Sequence, residues 1–264
     1  MKLFLTQPGS YSHNVRNNFA RVKRLLVPLR SNLKSNDVLL LPELIGGESN
    51  RDEYNGLATN LARDFECYVV AGSHHEHRDR AHFNCGAVAN PNGKIICRYE
   101  KLRPYGIESQ LGIIPGSLTG QFEVDGCRLL ILICADFWYS EVFLSRLEPR
   151  PDVILVPTFS ISSRATPRAA KSLWKSMAIS RAYEFGVYVG ISDWAYPSDY
   201  YGLKSSSVAG LADPRPHSHN GFFLSLGQRR IEHYPINVER VRELRQYRLT
   251  HAFLSDKRHA LTDG

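Results

Sequence analysis

Three reactive side chains each stand at the end of a predicted buried strand. Glu43 ends the run LLLPE, Lys101 stands in RYEKL, and Cys134 ends LILIC. Side chains at strand ends are held rigidly and open toward a crevice, which is where sites form on such sheets. We therefore expect Glu43, Lys101 and Cys134 to meet in one site.

A thiol, a carboxylate and an ammonium group together suit the cleavage of an amide bond. A thiol with an ordinary pKa of about 8.5 is only a few per cent thiolate at neutral pH, so it needs a base within hydrogen-bond reach. Glu43, with leucine and isoleucine neighbours that predict burial, is the candidate base. Lys101 and the backbone N–H after Cys134 could stabilise the tetrahedral oxyanion. A helix beginning near residue 135 would also favour the thiolate.

The elements that must position these residues follow from hydrophobic periodicity and turn signals. Helices are predicted over Asn14–Lys34, divided near Pro28, and over Tyr54–Phe65, about Ser140 to Leu147, Ala169–Phe185 and about Glu239–Arg245. Asp125-Gly126 predicts a hairpin whose second strand leads to Cys134. Continuous apolar strands over 38–41 and 129–133 predict burial on both faces. Helices alternating with strands and hairpins predict mixed sheets, in a layered sandwich with two sheets inside and helices outside.

The motifs around the three reactive residues resemble the nitrilase superfamily, also called the carbon–nitrogen hydrolase family. Its pattern is a strand ending in P-E, a later strand followed by K and a strand ending in C-x-D, and all three occur here in that order. Further matches extend the resemblance over most of the chain: Phe83-Asn84-Cys85, the segment from Cys134 to Glu141, Trp174 with Arg181-Ala182-Tyr183-Glu184, and Ile236–Arg242.

The resemblance implies a role for each of four residues and a fold. Cys134 would be the nucleophile, Glu43 the base and Lys101 the stabilising cation. Glu108 matches a second glutamate of the family and would orient Lys101 or position substrate. The implied fold is α/β, a four-layer α-β-β-α sandwich of the nitrilase type with mixed sheets, in a single domain over residues 1–264.

The implied reaction is cysteine-dependent hydrolysis of a small amide or carbamoyl compound through a thioester, with release of ammonia or an amine. Nitrile hydrolysis or acyl transfer by the same residues stays open, as does a catalytically silent basic binding or scaffold module. Family members that cleave nitriles usually carry C-W-E at the nucleophile, whereas this chain has Cys134-Ala135-Asp136, which favours an amide. Substrate contacts are expected from five residues: Ala135, Phe137, Trp138, Phe159 and Trp194.

Other charged and metal-ligating residues are expected to be structural. Asp136 and Glu141 would fix the turn and helix after the nucleophile, and Arg181 and Glu184 would form a helix ion pair. His74, His75 and His77 stand together in the run SHHEH and could bind a metal, but the spacing lacks a defined ligand geometry and favours a polar loop, so no metal is expected. No cofactor is needed for the implied chemistry.

Composition restricts the class of protein. The chain has 264 residues, 43% of them apolar and 22% charged, as in soluble globular proteins. Its net charge of +7 is spread along the chain and not interleaved with stacking aromatic residues, so a nucleic-acid partner is not indicated. The five cysteines include no C-x-x-C pair, and no apolar run approaches the roughly 18 residues of a membrane span. We expect a small-molecule substrate, a homodimer or larger homo-oligomer, and a cytoplasmic location.

Overall fold

The computed structural model of the protein describes residues 1–78, 81–145, 149–162 and 167–253. The α-helices are α1 (Val15–Leu26), α2 (Arg51–Phe65), α3 (Ile107–Gln110), α4 (Ser140–Ser145), α5 (Arg168–Phe185) and α6 (Val238–Thr250). Short 3-10 helices cover Val27–Asn32, Cys134–Trp138 and His219–Phe222. The first eight strands are β1 (Lys2–Thr6), β2 (Val38–Leu40), β3 (Tyr68–Val70), β4 (His74–Arg78), β5 (Ala81–Ala89), β6 (Ile95–Glu100), β7 (Gly120–Val124) and β8 (Cys127–Ile131). The remaining strands are β9 (Val153–Pro157), β10 (Ile161–Ser162), β11 (Tyr188–Ser192), β12 (Asp199–Tyr200), β13 (Leu203–Ser205), β14 (Gly210–Ala212), β15 (Phe223–Ser225) and β16 (Ile231–Pro235).

Two mixed sheets dominate the described part of the chain. The first has seven strands in the order β16-β1-β2-β3-β5-β4, with β6 on the other edge of β5. The second has six strands in the order β15-β14-β11-β9-β8-β7. In both sheets the central strands run parallel and the outer ones antiparallel. A small sheet of β10, β13 and β12 completes the set.

The alternation of side chains along the central strands creates the layers. On β1, Leu3 and Leu5 lie in the cluster between the two sheets, whereas Phe4 lies in the cluster beneath α1 and α2. On β9, Leu155 faces the first sheet and Ile154 faces α5. Successive side chains of a strand point to opposite faces, so each apolar strand is buried on both sides. The result is the predicted four-layer α-β-β-α sandwich.

Most predicted elements are present, with instructive differences. Pro28 divides the first helical segment as expected, because α1 ends at Leu26 and a 3-10 turn follows. The strand predicted to reach Cys134 ends instead at Ile131. The helix predicted from Ser140 is α4, and Leu147, its predicted end, lies outside the described residues.

The prediction of a polar loop around His74 was wrong. Residues His74–Arg78 form strand β4, and the side chains of His74, His75 and Glu76 are buried. Pairing with β5 supplies the backbone hydrogen bonds, so polar side chains with local partners can be buried there. None of the described helices is long and apolar enough to cross a membrane.

Candidate active site

Glu43 lies just beyond β2, and each of its three oxygen atoms accepts at least one hydrogen bond. Its side chain is 3% exposed. Oε1 accepts hydrogen bonds from Lys101 Nζ at 2.6 Å and Asn84 Nδ2 at 2.9 Å, and Oε2 accepts one from the backbone N–H of Phe159 at 2.9 Å. Its carbonyl oxygen accepts a 2.7 Å hydrogen bond from Trp194 Nε1. The carboxylate is therefore held in one orientation.

Lys101 follows β6 and bridges two carboxylates. Its Nζ lies 2.6 Å from Glu43 and 2.5 Å from Glu108 Oε2, and all three side chains are almost fully buried. Burial alone would lower the pKa of Lys101, but the charges of Glu108 and Glu43 raise it well above its ordinary value. Burial likewise opposes the charged form of Glu108, yet Lys101 and nearby donors lower its pKa to about 2. At neutral pH these shifts favour the charged forms of both Lys101 and Glu108.

Asn84 completes this group from the adjacent strand β5. Its Nδ2 donates to Glu43 Oε1 at 2.9 Å and to Glu108 Oε1 at 2.6 Å. Its backbone carbonyl accepts the N–H of Lys101 at 2.8 Å. Asn84 therefore joins both carboxylates through its side-chain amide and the backbone of Lys101 through its carbonyl oxygen. Sequence reasoning used Asn84 only as part of a matched motif, and nothing local in the sequence indicated that it would contact the base.

Cys134 stands at a sharp turn between β8 and the 3-10 helix that it begins. Its φ angle is +45°, in the left-handed region that non-glycine residues adopt rarely and that is enriched at functional sites. Its Sγ accepts a 2.9 Å hydrogen bond from Thr158 Oγ1 and lies 4.0 Å from the carbonyl oxygen of Phe159. Phe159 thus contacts Glu43 through its N–H and the thiol through its carbonyl.

Burial and the charge of Glu43 raise the pKa of the Cys134 thiol well above its ordinary value, and Lys101 and Thr158 offset only part of this. The resting sulfur is therefore a thiol and needs a base at the moment of attack. This differs from the predicted stabilisation of a thiolate by a helix start. The segment after Cys134 is a five-residue 3-10 helix, which is too short to supply a substantial helix dipole.

Asp136 joins the nucleophile turn to the loop after Lys101. It is 1% exposed and accepts the backbone N–H groups of Leu102 at 3.1 Å and Arg103 at 2.7 Å. Burial raises its pKa to about 6. Its contacts agree with the expected structural function. Glu141 is exposed and pairs with Arg103 at 3.2 Å.

A cavity of about 380 Å³ opens at Cys134. It is lined by Tyr105, Cys134, Ala135, Trp138, Tyr139, Phe159, Ser160, Ile161, Ala169, Ala170, Leu173 and Trp174. Ala135, Trp138 and Phe159 therefore stand where substrate contacts were expected. Sequence reasoning missed the contributions from Tyr105 and from α5, because those segments approach Cys134 only in the folded chain.

Phe137 and Trp194 lie behind the cavity wall. Phe137 is 0% exposed and stacks on Trp174 with ring centroids 6.0 Å apart. Trp194 is also 0% exposed and directs its N–H at the backbone of Glu43. The expectation that these two residues contact substrate is corrected on this geometry: they support the residues that line the cavity.

Asp193 directly follows β11 of the second sheet and supports the cavity wall. It accepts the N–H of Ser160 at 3.1 Å and the N–H of Val208 at 2.8 Å, and a 2.5 Å hydrogen bond from Ser160 Oγ. Burial raises the pKa of Asp193 to about 6. Thr158 and Phe159 directly precede Ser160 in the chain and contact Cys134 and Glu43. By holding Ser160, the buried carboxylate of Asp193 therefore helps to position the groups around Cys134 and Glu43. No sequence signal singled it out.

The catalytic candidates Glu43, Lys101, Cys134 and Glu108 are brought together. Among the described residues, the group that could hold an ion is His74, Glu76 and Cys85. It lies on β4 and β5, next to Asn84 and outside the cavity.

Comparison with known proteins agrees with this architecture. The profile of the family described as carbon-nitrogen hydrolase matches residues 5–211. The chain is 28% identical over 169 residues to the 2-oxoglutaramate amidase of Bacillus subtilis (strain 168), covering 59% of this chain and 62% of that protein. It is 24% identical over 161 residues to human omega-amidase NIT2, covering 56% of this chain and 52% of the relative. The matches thus span between about half and three fifths of these curated relatives.

Solved structures share the fold. An amidase of the nitrilase superfamily from Nesterenkonia AN1 superimposes with a TM-score of 0.71 and 17% identity, covering 96% of this chain and 98% of that one. Saccharomyces cerevisiae Nit3, described as a member of branch 10 of the nitrilase superfamily, gives a TM-score of 0.75 and 17% identity, covering 94% of this chain and 93% of that one. At these identities the likeness concerns the fold.

Proposed function

The chain belongs to the carbon–nitrogen hydrolase family, and from that premise we propose that it hydrolyses the carbon–nitrogen bond of a small amide or carbamoyl compound through a thioester on Cys134. The observation that carries the proposal is the buried Glu43–Lys101 ion pair, held at 2.6 Å. Phe159 connects this pair to the cysteine, through an N–H bonded to Glu43 and a carbonyl near Sγ. The names of two relatives, an amidase of 2-oxoglutaramate and an omega-amidase, support an amide rather than a nitrile.

In the first half of the proposed reaction, Sγ of Cys134 attacks the amide carbon while Glu43 takes the thiol proton. The carbonyl oxygen becomes an oxyanion, which Lys101 and the backbone N–H of Ala135 stabilise. Collapse of the intermediate breaks the carbon–nitrogen bond. Glu43 returns its proton to the leaving nitrogen, so ammonia or an amine departs and the acyl group stays on sulfur.

In the second half, Glu43 takes a proton from water as the water attacks the thioester carbon. A second oxyanion forms at the same position and uses the same donors. Its collapse expels the sulfur, and the proton held by Glu43 restores the thiol. The acid product leaves, and the enzyme regains its starting protonation state. One carboxylate thus serves as base and acid in turn, which requires that it stay within reach of both nucleophiles.

Glu108 and Asn84 position the reacting groups in this proposal. Glu108 holds the second side of the Lys101 ammonium at 2.5 Å, and Asn84 bonds both carboxylates. A cation fixed before the reaction stabilises developing charge without reorganisation. The net charge of the Glu43–Lys101–Glu108 group is negative when both carboxylates are ionised. That negative charge helps to keep the resting sulfur protonated. The sulfur therefore attacks the substrate only as Glu43 takes its proton, and the oxyanion on the substrate forms in that same step.

We also propose that residues 1–264 form one catalytic domain in a homodimer or larger homo-oligomer located in the cytoplasm. All five cysteines are free, which fits a reducing compartment. Tyr139 and Leu173, both on the rim of the cavity, are 39% and 56% exposed, and such apolar residues are typical of protein interfaces.

The test is ammonia release from a panel of 2-oxoglutaramate, neutral aliphatic and aromatic amides, carbamoyl compounds and the matching nitriles. We expect turnover of at least one amide or carbamoyl compound, and hydroxylamine should intercept the thioester as a hydroxamate. Cys134→Ala is the matched control and should give neither product. Turnover confined to nitriles would replace the proposal by nitrile hydrolysis. Absence of both ammonia and any acyl adduct on Cys134 across the panel would favour a silent binding module.

A further inference from the structure

A second group of reactive side chains lies on the β4–β5 hairpin. His74 and Cys85 are directly opposed in its register, and Glu76 follows two residues after His74, so all three side chains share one face. Cys85 Sγ lies 3.4 Å from His74 Nε2 and 3.3 Å from Glu76 Oε2, and His74 Nε2 lies 3.4 Å from Glu76 Oε2. The three atoms thus form a nearly equilateral triangle.

The size of this triangle matches a tetrahedral zinc site. Zinc bonds to sulfur at about 2.3 Å and to nitrogen or oxygen at about 2.0–2.2 Å, so neighbouring ligand atoms in a tetrahedron lie about 3.3–3.6 Å apart. The observed edges of 3.3 to 3.4 Å agree with this without any movement of the backbone. Imidazole, thiolate and carboxylate are also the ligand types that zinc takes in proteins.

The surrounding residues orient two of the three ligands. His74 Nδ1 lies 3.0 Å from the carbonyl oxygen of Ser49, so Nδ1 carries the proton and Nε2 presents its lone pair to the triangle. Metal-bound histidines are usually held by such a hydrogen bond to the other ring nitrogen. The Tyr54 ring stacks on His74 with centroids 4.1 Å apart, which further limits its rotation.

Glu76 is oriented by two arginines. Arg51 Nε donates to Oε1 at 2.9 Å and Arg78 Nε donates to the same oxygen at 2.6 Å, which leaves Oε2 directed at the triangle. The arginines also add positive charge, which weakens cation binding. Arg78 is paired in addition with Glu100, whose charge offsets part of this effect.

We propose that His74 Nε2, Glu76 Oε2 and Cys85 Sγ bind one Zn²⁺ ion. Binding requires that the Cys85 thiol lose its proton to solvent, because the thiolate is the ligand. The fourth position would be taken by water. A cavity of about 720 Å³ is lined by Glu76 together with Arg51 and His75, so Glu76 is the ligand through which the group borders open space, whereas His74 and Cys85 are buried behind it. Three protein ligands and one exchangeable position are the pattern of zinc sites that stay open.

This site is separate from the proposed hydrolysis and does not depend on it. His75 and Asn84 point to the other face of the hairpin, where Asn84 bonds Glu43 and Glu108 and His75 lies 3.8 Å from Glu108. None of the three proposed ligands appears in the contacts of Lys101 or Cys134. The alternative is a hydrogen-bonded group without an ion, in which the Cys85 thiol donates to Glu76.

The test uses chelator-treated, full-length protein carrying Cys134→Ala, so that the nucleophile cannot contribute a thiolate. Zn²⁺ is titrated by calorimetry, and Co²⁺ serves as the spectroscopic probe. We expect one ion per chain, a thiolate-to-cobalt charge-transfer band and the intense visible bands of four-coordinate Co²⁺. Cys85→Ser should abolish the charge-transfer band, and both Cys85→Ser and His74→Asn should weaken Zn²⁺ binding at least tenfold.

Two matched variants distinguish this site from other ligands. Cys97→Ser removes a partly exposed thiol, and His77→Ala removes one member of the His77–His82 pair, whose ring centroids lie 3.5 Å apart. Both should bind Zn²⁺ as the parent does. Loss of binding in His77→Ala with retention in Cys85→Ser would overturn the proposal, as would no binding to the folded parent at about 100 µM Zn²⁺. If circular dichroism shows that Cys85→Ser does not fold, the Co²⁺ spectrum of the Cys134→Ala parent is the test. An octahedral Co²⁺ spectrum without a thiolate charge-transfer band would refute the site.

Discussion

Lys101 Nζ donates a 2.6 Å hydrogen bond to Glu43 Oε1, and both side chains are 3% exposed. The proposed base and the proposed oxyanion donor are therefore fixed relative to each other before substrate enters. Their proposed tasks nevertheless differ. Glu43 transfers a proton, whereas Lys101 stabilises the negative charge that develops on the substrate oxygen. Substitutions of the two residues should consequently fail in different ways.

Lys101→Met should lower kcat on the order of 10²–10³-fold, by analogy with loss of an oxyanion donor, and alter KM much less. Lys101→Arg should not restore kcat, because the planar guanidinium is larger than the ammonium it replaces. Removing the cation also leaves two buried carboxylates without their partner, which costs roughly 3–5 kcal/mol of stability. Steady-state kinetics are therefore measured where circular dichroism shows folded protein. A near-wild-type kcat in Lys101→Met would remove the lysine from the mechanism.

Glu43→Gln keeps the size of the side chain but cannot accept a proton. Acylation should fall by about 10²–10⁴-fold, the range typical of a lost general base. The measurement is single-turnover release of ammonia from a substrate found in the panel, which isolates acylation from later steps. The amide oxygen of Glu43→Gln can still accept the hydrogen bond from Lys101, but its NH2 group cannot accept the N–H of Phe159. Circular dichroism must therefore show that the variant is folded before its rate is interpreted. A loss of less than tenfold would mean that another group deprotonates Cys134.

Cys134 should be the cysteine that iodoacetamide modifies first. It lines the cavity, whereas Cys67, Cys85 and Cys127 are buried. Because the pKa of Cys134 is raised, its alkylation rate should keep increasing as the pH rises above neutrality. Peptide mass spectrometry after partial labelling gives the order of reaction, and substrate should slow labelling of Cys134 alone. Earlier modification of Cys67 or of the partly exposed Cys97 would contradict the assignment.

Asp193 should make a measurable, pH-dependent contribution to stability. Burial raises its pKa from 3.8 to about 6, so the folded state binds this proton more tightly than the unfolded state. The contribution is fully present below about pH 4 and is lost as the pH rises through 6. A shift of about two pKa units corresponds to roughly 3 kcal/mol.

Asp193→Asn does not titrate, so its free energy of unfolding relative to wild type should increase by up to about 3 kcal/mol between pH 4 and pH 7. Urea unfolding of both proteins at both pH values gives these free energies. Subtracting the wild-type value from that of the variant at each pH removes the contribution of the other carboxylates, which both proteins share. The same relative stability at both pH values would show that Asp193 titrates normally.

The protein should be a dimer or a larger even-numbered assembly in dilute solution. The expectation rests on the resemblance to the family and on the exposed apolar residues Tyr139 and Leu173. Two-fold dimers are the commonest oligomers, and their interfaces are self-complementary. Light scattering coupled to size exclusion at micromolar concentration gives the mass. A mass near that of one 29.9 kDa chain would refute the prediction, and Leu173→Glu should shift an assembled wild type toward that mass if α5 forms the interface.

The sequence by itself determined the layered fold and the placement of Glu43, Lys101 and Cys134 just after apolar strands, although β2 and β8 end three residues before Glu43 and Cys134. These features depend on local patterns, because apolar runs form strands buried on both faces and a reactive residue at the end of such a strand faces a crevice. The resemblance then added Glu108, and the structure places that residue 2.5 Å from Lys101.

Only the tertiary structure decided which neighbours complete the site. Phe159 bonds Glu43 across 116 residues of sequence, and Asn84 meets Glu43 across 41. Phe137 and Trp194 pack against Trp174 and the backbone of Glu43 and do not line the cavity. His74 is buried because β4 pairs with β5, where the sequence predicted a loop. A local pattern reports which face of its own element a side chain occupies. Contacts between elements depend on how the sheets stack and pair, and that arrangement is settled by burial and hydrogen bonding summed over the whole chain.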